Sequence, residues 1–245
     1  MSRERLGKAG RVAWAVVTIG ITETVVFGLS MLPAALFWQW QFHWPVRDNA
    51  LRITLLAMSL VPAYLVFAVS LLTLSALSAR LFGWRTPPDA EMRIADMEWP
   101  LLRWARYGMS THVVRVLVGT LLRATPLWTL YHRLNGARLG RGVYLNSSQL
   151  ADHNLLEFDD DVVIGADVHL SGHVVESGMV KTARVRLGRG VTIGVGSVIG
   201  IGVVVEQDTQ VGALSVVPKH RHLESHALFG GVPVRRLDHS EAAGP

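Results

Sequence analysis

A histidine and a glutamate three positions apart, His173 and Glu176 in Ser171-Gly172-His173-Val174-Val175-Glu176, are the residues of this chain best suited to moving a proton. Imidazole titrates near neutrality, so it can take a proton from a hydroxyl or amine that attacks a carbonyl and return it to the leaving group. A carboxylate on the other ring nitrogen holds the tautomer, and Glu176 is the acid expected to do so. A histidine at a chain corner can also be only a cap. The chain has no cysteine, which removes disulfides, a thiol nucleophile and thiolate metal sites together. Direct transfer with His173 as base is the simple scheme that remains.

The next candidates are Asp152 and His153, in Asp152-His153-Asn154, as substrate-side residues. His169 reads as a surface residue, and His220, His222 and His226 as solvated positions in a polar C-terminal stretch. His112 belongs to an arginine-rich helix.

What must position these groups is a repeat. Leu187, Ile193, Ile199, Val205, Val211 and Val217 follow one another at an unbroken spacing of six, and Gly188, Gly194, Gly200 and Gly212 come directly after four of them. Four residues beyond each of the first five stands a small or β-branched partner: Val191, Ser197, Val203, Thr209 and Ser215. A fixed period of six predicts short strands and tight corners stacked as a solenoid, with glycine where positive φ is needed. The same phase appears at Leu139 and Leu145 and, shifted, at Phe158, Ile164 and Leu170. The two phase breaks, over 147–155 and 172–184, are read as loops thrust out of the prism, the usual place for function.

The first third of the chain is different in kind. Between residues 12 and 38 the only charged residue is Glu23, and between 53 and 79 there is none. Each run exceeds the roughly 20 residues that cross a bilayer core. Arg3, Arg5, Lys8 and Arg11 precede the first run, and Arg80, Arg85, Arg93, Arg103 and Arg106 follow the second. That bias puts both ends of a transmembrane hairpin on the cytoplasmic side of the plasma (inner) membrane, with Trp38, Trp40 and Trp44 as an aromatic belt at the far side. Glu23 is expected to pair with a neighbouring helix or to face a cavity. After a break at Pro87-Pro88, a helix-period stretch over about 91–122 places Leu102, Ala105, Met109, Val113, Val116 and Thr120 on one stripe, packed on the solenoid or lying in the headgroups. The expected units are 1–85, a basic flank and membrane hairpin; 86–136, helical; 137–218, solenoid; and 219–245, a C-terminal extension.

The [LIV]-G-x-x-[STAV]-x pattern resembles the hexapeptide-repeat acyltransferases, which implies a left-handed parallel β-helix of three hexads per coil, a homotrimer, and a histidine base acting on a thioester. The Gly-His-x-x-Glu loop, together with Leu127-Trp128-Thr129-Leu130-Tyr131, Leu134-Asn135-Gly136-Ala137 and the membrane pair, is similar to one membrane unit of ε-poly-L-lysine synthetase-type nonribosomal peptide synthetases. That narrower likeness implies an aminoacyl donor and amide formation, with a carrier protein or synthetase acting in trans. The ending Phe229-Gly230-Gly231-Val232-Pro233-Val234-Arg235-Arg236 resembles the G-x-P-A-[KR] ending of coenzyme A-dependent members, with Val234 in place of Ala. By that resemblance Gly231, Pro233, Arg235 and Lys219 lie along the donor, either acyl-CoA or a phosphopantetheinyl-carrier thioester, with no tightly bound cofactor.

Two other readings share the fold. A zinc lyase of the carbonic anhydrase kind invites the pair His169 and His173, but neither spacing nor flanks match, and no metal site is expected. A membrane-tethered scaffold needs only the hexads. The formal charge of +5 is concentrated beside the apolar runs, which reads as lipid contact and topology. No basic stripe on a recognisable binding fold indicates nucleic acid.

Overall fold

The computed structural model describes residues 3–237, with side chains from residue 7 onward. The outermost basic flank and the end of the expected 219–245 segment lie outside the described residues. Helix α1 (Arg3–Phe42, 40 residues) and helix α2 (Asn49–Leu81, 33 residues) pack side by side. Asp48 caps α2 by accepting from Leu51 N at 2.9 Å, and Trp38 Nε1 donates to Ser59 Oγ at 3.0 Å across the pair. Both helices are long and apolar enough to cross a membrane. Their outer faces carry exposed Val16, Ile21, Leu60 and Val61, a surface that water does not stabilise.

The chain then departs from the expected helix over 91–122. Glu91–Arg93 is a strand, and α3 (Trp99–Val114) begins only where Pro100 occupies its first turn, a position that needs no N–H donor. It runs through a π turn, Arg115–Gly119, into α4 (Thr120–Leu122), and α5 (Pro126–Leu134) follows, capped by Thr125. The buried stripe is Tyr107, Ser110, Val114, Val118 and Leu122, whereas Met109 and Val116 of the expected stripe are exposed. The sequence carries two apolar faces on this helix, and packing selects one. Glu23 faces Ser110 of α3 within the same chain, with Oε1 left unpartnered.

From Arg138 onward short parallel strands fall on three faces. On the first, Leu139, Phe158, Leu187, Val205 and Leu223 stack in register. On the second, Leu145, Ile164, Ile193, Val211 and Phe229 do so. The third stacks Leu150, Leu170, Ile199 and Val217. The ladders are continuous in one apolar core with Val114, Val118, Trp128 and Tyr131 of the helical cap and Leu71 of α2. The stacking continues past residue 218 to Leu223 and Phe229, so the polar 219–230 stretch is coil and not extension. His220 and His226 sit at exposed corners and His222 faces outward from its strand, while Leu223 and Phe229 point inward.

The hexad glycines serve a purpose other than the expected positive φ. The left-handed corner residue lies two positions later, at Gly190, Gly196 and Gly202, and Asp208, Leu214 and His220 take the same conformation. Gly200 is required instead by close approach: a Cβ there would stand 2.6 Å from Lys219 N and 2.8 Å from Lys219 Cα on the next coil. Gly200→Ala therefore forces two backbone corners apart, an overpacking cost of about 1–3 kcal/mol. Thermal unfolding of the variant is expected at lower temperature, while Gly10→Ala, in α1 with nothing within 4 Å of the added Cβ, changes it less.

Candidate active site

Four segments that are distant in sequence, one of them α3 through Trp104, meet at one carboxylate. The first phase break supplies Asp152, in a left-handed conformation (φ 54°) just before the short turn His153–Leu155. The second supplies Ser171 and His173, at the foot of a hairpin, His173–Glu176 with Met179–Thr182, which Glu91–Arg93 extends to three antiparallel strands. The segment leaving α2 supplies Thr86. Gly172 permits the approach: a Cβ there would stand 2.8 Å from Leu155 Cδ1 and 2.9 Å from Asp152 Cβ.

Asp152 is buried (4% exposed) and accepts four hydrogen bonds. Thr86 Oγ1 donates to Oδ1 at 2.6 Å and Trp104 Nε1 at 3.2 Å. Ser171 Oγ donates to Oδ2 at 3.1 Å, and His173 Nδ1 lies 2.5 Å from the same oxygen. With Nδ1–H on Asp152, the free lone pair of His173 is on Nε2. Trp104 meets the imidazole edge on, with ring centroids 4.9 Å apart. A cavity of about 170 Å³ borders His173, Asp152, Trp104, His112 and Arg115. Arg115 is anchored there through Gln149 at 3.0 Å and His112 at 2.7 Å.

The electrostatics follow from this packing. Burial works to lower the His173 pKa, but the hydrogen bond and charge of Asp152 outweigh it and hold the imidazole above its ordinary 6.5. For Asp152 burial works upward, and the bonds from His173, Thr86 and Ser171 together bring its pKa below the ordinary 3.8. His169 is lowered by burial, then by the charges of His173 and Arg115.

Glu176, expected to hold the His173 tautomer, does not do so. It is bound by Lys219 at 2.5 Å and Lys181 at 3.1 Å, and Lys219 first, then Lys181, hold its pKa down. In a strand alternate residues share a face, so positions 173 and 176 point oppositely. Asp152, read from sequence as a substrate-side residue, takes the partner position. His153 also differs from the expectation. It is 2% exposed, its ring lies 4.3 Å from that of His132, and its Nε2 is 3.2 Å from the Leu150 carbonyl. Burial, then the charge of His132, drives its pKa well below 6.5, and burial takes His132 to about 4. Both are neutral core residues at pH 7.

Lys219 is spent on Glu176, pinning the hairpin tip two coils along from its foot. Gly231 closes the last coil, its N–H donating to Ser215 Oγ at 3.2 Å and its carbonyl accepting from Val216 N at 3.0 Å. Pro233 and the exposed Arg235 follow at that end, outside the His173 cavity. Thr86 and Trp104 were missed in the sequence; no local signal marks a threonine beside Pro87 as a partner of a residue 66 positions away.

Thr86 has no exposed surface. Thr86→Val keeps its shape and removes one donor from a buried carboxylate, which costs about 1–3 kcal/mol. The expected result is a lower unfolding temperature in detergent, largely restored in Thr86→Ser.

No family model matches the chain. Over 138 residues, 56% of its length, it is 25% identical to a δ-poly-L-ornithine synthetase of Acinetobacter baumannii, and it spans about a tenth of that protein. A maltose O-acetyltransferase of Clostridium difficile is 17% identical, with 58% of this chain and 88% of that one covered at a TM-score of 0.39. A perosamine N-acetyltransferase of Caulobacter crescentus is 24% identical, with 42% and 51% covered at a TM-score of 0.32. Over its matched stretch, the chain is similar to part of a δ-poly-L-ornithine synthetase.

Proposed function

We propose that this chain is a membrane-anchored acyltransferase in which His173, held by Asp152, is the general base. The observation that carries the reading is the buried Asp152 carboxylate 2.5 Å from His173 Nδ1, which leaves Nε2 as the basic atom beside a cavity. As an acceptor hydroxyl or amine attacks a thioester carbonyl, Nε2 takes its proton while the new C–O or C–N bond forms. The tetrahedral intermediate then collapses, the C–S bond breaks, and the imidazolium proton goes to the departing sulfur. Asp152 stabilises the imidazolium throughout without taking its proton. Arg115, bordering the same cavity, is the cation available to the oxyanion or to an acceptor carboxylate.

The donor is an acyl or aminoacyl thioester of coenzyme A or of a phosphopantetheinyl carrier, which would look alike to the chain. The synthetase relative supports an amine acceptor and amide formation, with a carrier protein or synthetase as the partner in trans. The coil is read as a left-handed β-helix, three copies forming a closed C3 trimer. Helices α1 and α2 cross the plasma membrane and leave the coil on the cytoplasmic side, as the flanking arginines support.

The test is thiol release by the detergent-purified chain from acetyl-CoA and from an aminoacylated carrier, with acceptor added or withheld. Acceptor-dependent release that His173 controls is expected; release indifferent to His173 overturns the base assignment. A monomeric mass in mild detergent sinks the trimer.

A further inference from the structure

Where α2 ends, the segment 84–88 and the first coil enclose a second cavity of about 500 Å³. Its wall carries four guanidinium groups, from Arg80, Arg85, Arg138 and Arg184, beside the Trp84 ring, and no carboxylate. Glu157, the acid paired with two of them, already answers three arginines: Arg184 at 2.5 Å, Arg186 at 3.0 Å and Arg138 at 3.2 Å. Arg80 is oriented by the carbonyls of Leu134 at 2.6 Å and Arg133 at 3.4 Å, with no acid among the described residues. Arg85 has neither a hydrogen bond nor an ionic partner among the described residues. Four guanidinium groups around a concave space, two of them sharing one carboxylate with Arg186 and two without an acid among the described residues, leave an excess of positive charge that calls for an anion, and the guanidinium fork matches phosphate oxygens.

The position of the cavity narrows the anion. Arg80 stands in the last turn of α2, so the cavity lies where a helix of that apolarity leaves the hydrocarbon and meets headgroups. Leu77, Leu81 and Phe82, on the adjoining surface, are 58%, 76% and 53% exposed, an apolar flank suited to an acyl chain. We propose that this cavity binds the phosphate headgroup of an anionic phospholipid. The inference rests on the membrane reading of α1 and α2 and is independent of the thioester chemistry. It also has a mechanical consequence. Residues 84–88 line the cavity through Trp84, Arg85 and Pro88, and between them Thr86 binds Asp152 and exchanges two bonds with Asn154, of 3.1 and 2.8 Å. A seated headgroup braces the segment that holds the carboxylate behind His173.

The full chain in mild detergent is titrated with phosphatidylglycerol and with phosphatidylcholine, and bound lipid is counted by native mass spectrometry. Phosphatidylglycerol is expected to be retained preferentially, and Arg85→Gln, at a residue without protein partners, to weaken that retention by about tenfold, the loss of one charged hydrogen-bonding group. Arg138→Gln acts in the same direction, and Arg52→Gln, at the other end of α2, leaves retention unchanged. Equal retention of the two lipids, or retention indifferent to both Arg85 and Arg138, overturns the site. Displacement of the lipid by millimolar inorganic phosphate at constant ionic strength, or by coenzyme A, overturns the lipid as the source of the phosphate. Carbonate-washed membranes report separately on the membrane reading: a chain released by the wash removes the premise, and a chain retained while both lipids bind equally fails the cavity alone.

Discussion

Thioester turnover falls by about 10²–10⁴-fold in His173→Ala, the usual contribution of a positioned general base. The expectation rests on geometry more than on residue type. Nδ1 is committed to Asp152 at 2.5 Å, Trp104 fixes the ring plane, and only Nε2 is free to meet an acceptor. Folding should survive at a reduced stability: the variant leaves buried Asp152 without one charged donor, but the hairpin strands and the Glu176–Lys219 pin persist. Thiol release with saturating acceptor measures the loss, and an unfolding transition that stays well above the assay temperature shows that it is chemical. His173→Gln should be no better, since an amide is not a base. Glu176→Gln, which removes an acid bound to lysines, is expected to leave the pH profile in place.

In Asp152→Asn the loss is comparable, up to about 10⁴-fold, and its pH dependence identifies the cause. The base acts when neutral, so in the parent chain turnover rises with pH through a limb centred above 6.5, where Asp152 holds the His173 pKa. Asparagine removes the charge but not the burial, which by itself lowers that pKa. The limb therefore moves to lower pH while the plateau drops. Stability follows the same pair. His173, raised in the folded chain, contributes fully below about 6.5 and loses that contribution as pH rises through its folded value. Asp152, lowered in the folded chain, contributes above about 3.8 and loses that contribution as pH falls through its folded value. The pair stabilises most between those limits, and Asp152→Asn flattens the thermal stability profile there. A variant with full activity, or a limb that stays in place, removes Asp152 from the mechanism.

The sequence by itself determined the repeating part of this protein. A side chain every six residues that must be buried defines a face, and Leu187, Ile193 and Ile199 can be placed on three faces by counting. Apolar length similarly marked α1 and α2, and the two phase breaks marked where the coil is interrupted, because interruption of a periodic signal is itself a local property. The tertiary structure decided what the interruptions do. His173, Thr86 and Trp104 converge on Asp152 from separate segments, 21, 66 and 48 residues away along the chain. No spacing in the chain encodes that meeting, since it depends on how the insertions fold back on the coil. Glu176 looked nearer along the chain and was turned away by strand alternation. His153 reads in the sequence as a substrate-side residue but is core, because its neighbours His132, Tyr107 and Tyr131 arrive from the helices. The hexad glycines were legible as a pattern, yet their reason, the next coil passing within 3 Å of where a Cβ on Gly200 would stand, exists only once the coils are stacked. Periodicity is local and survives in sequence; a site assembled from four segments is a property of their packing.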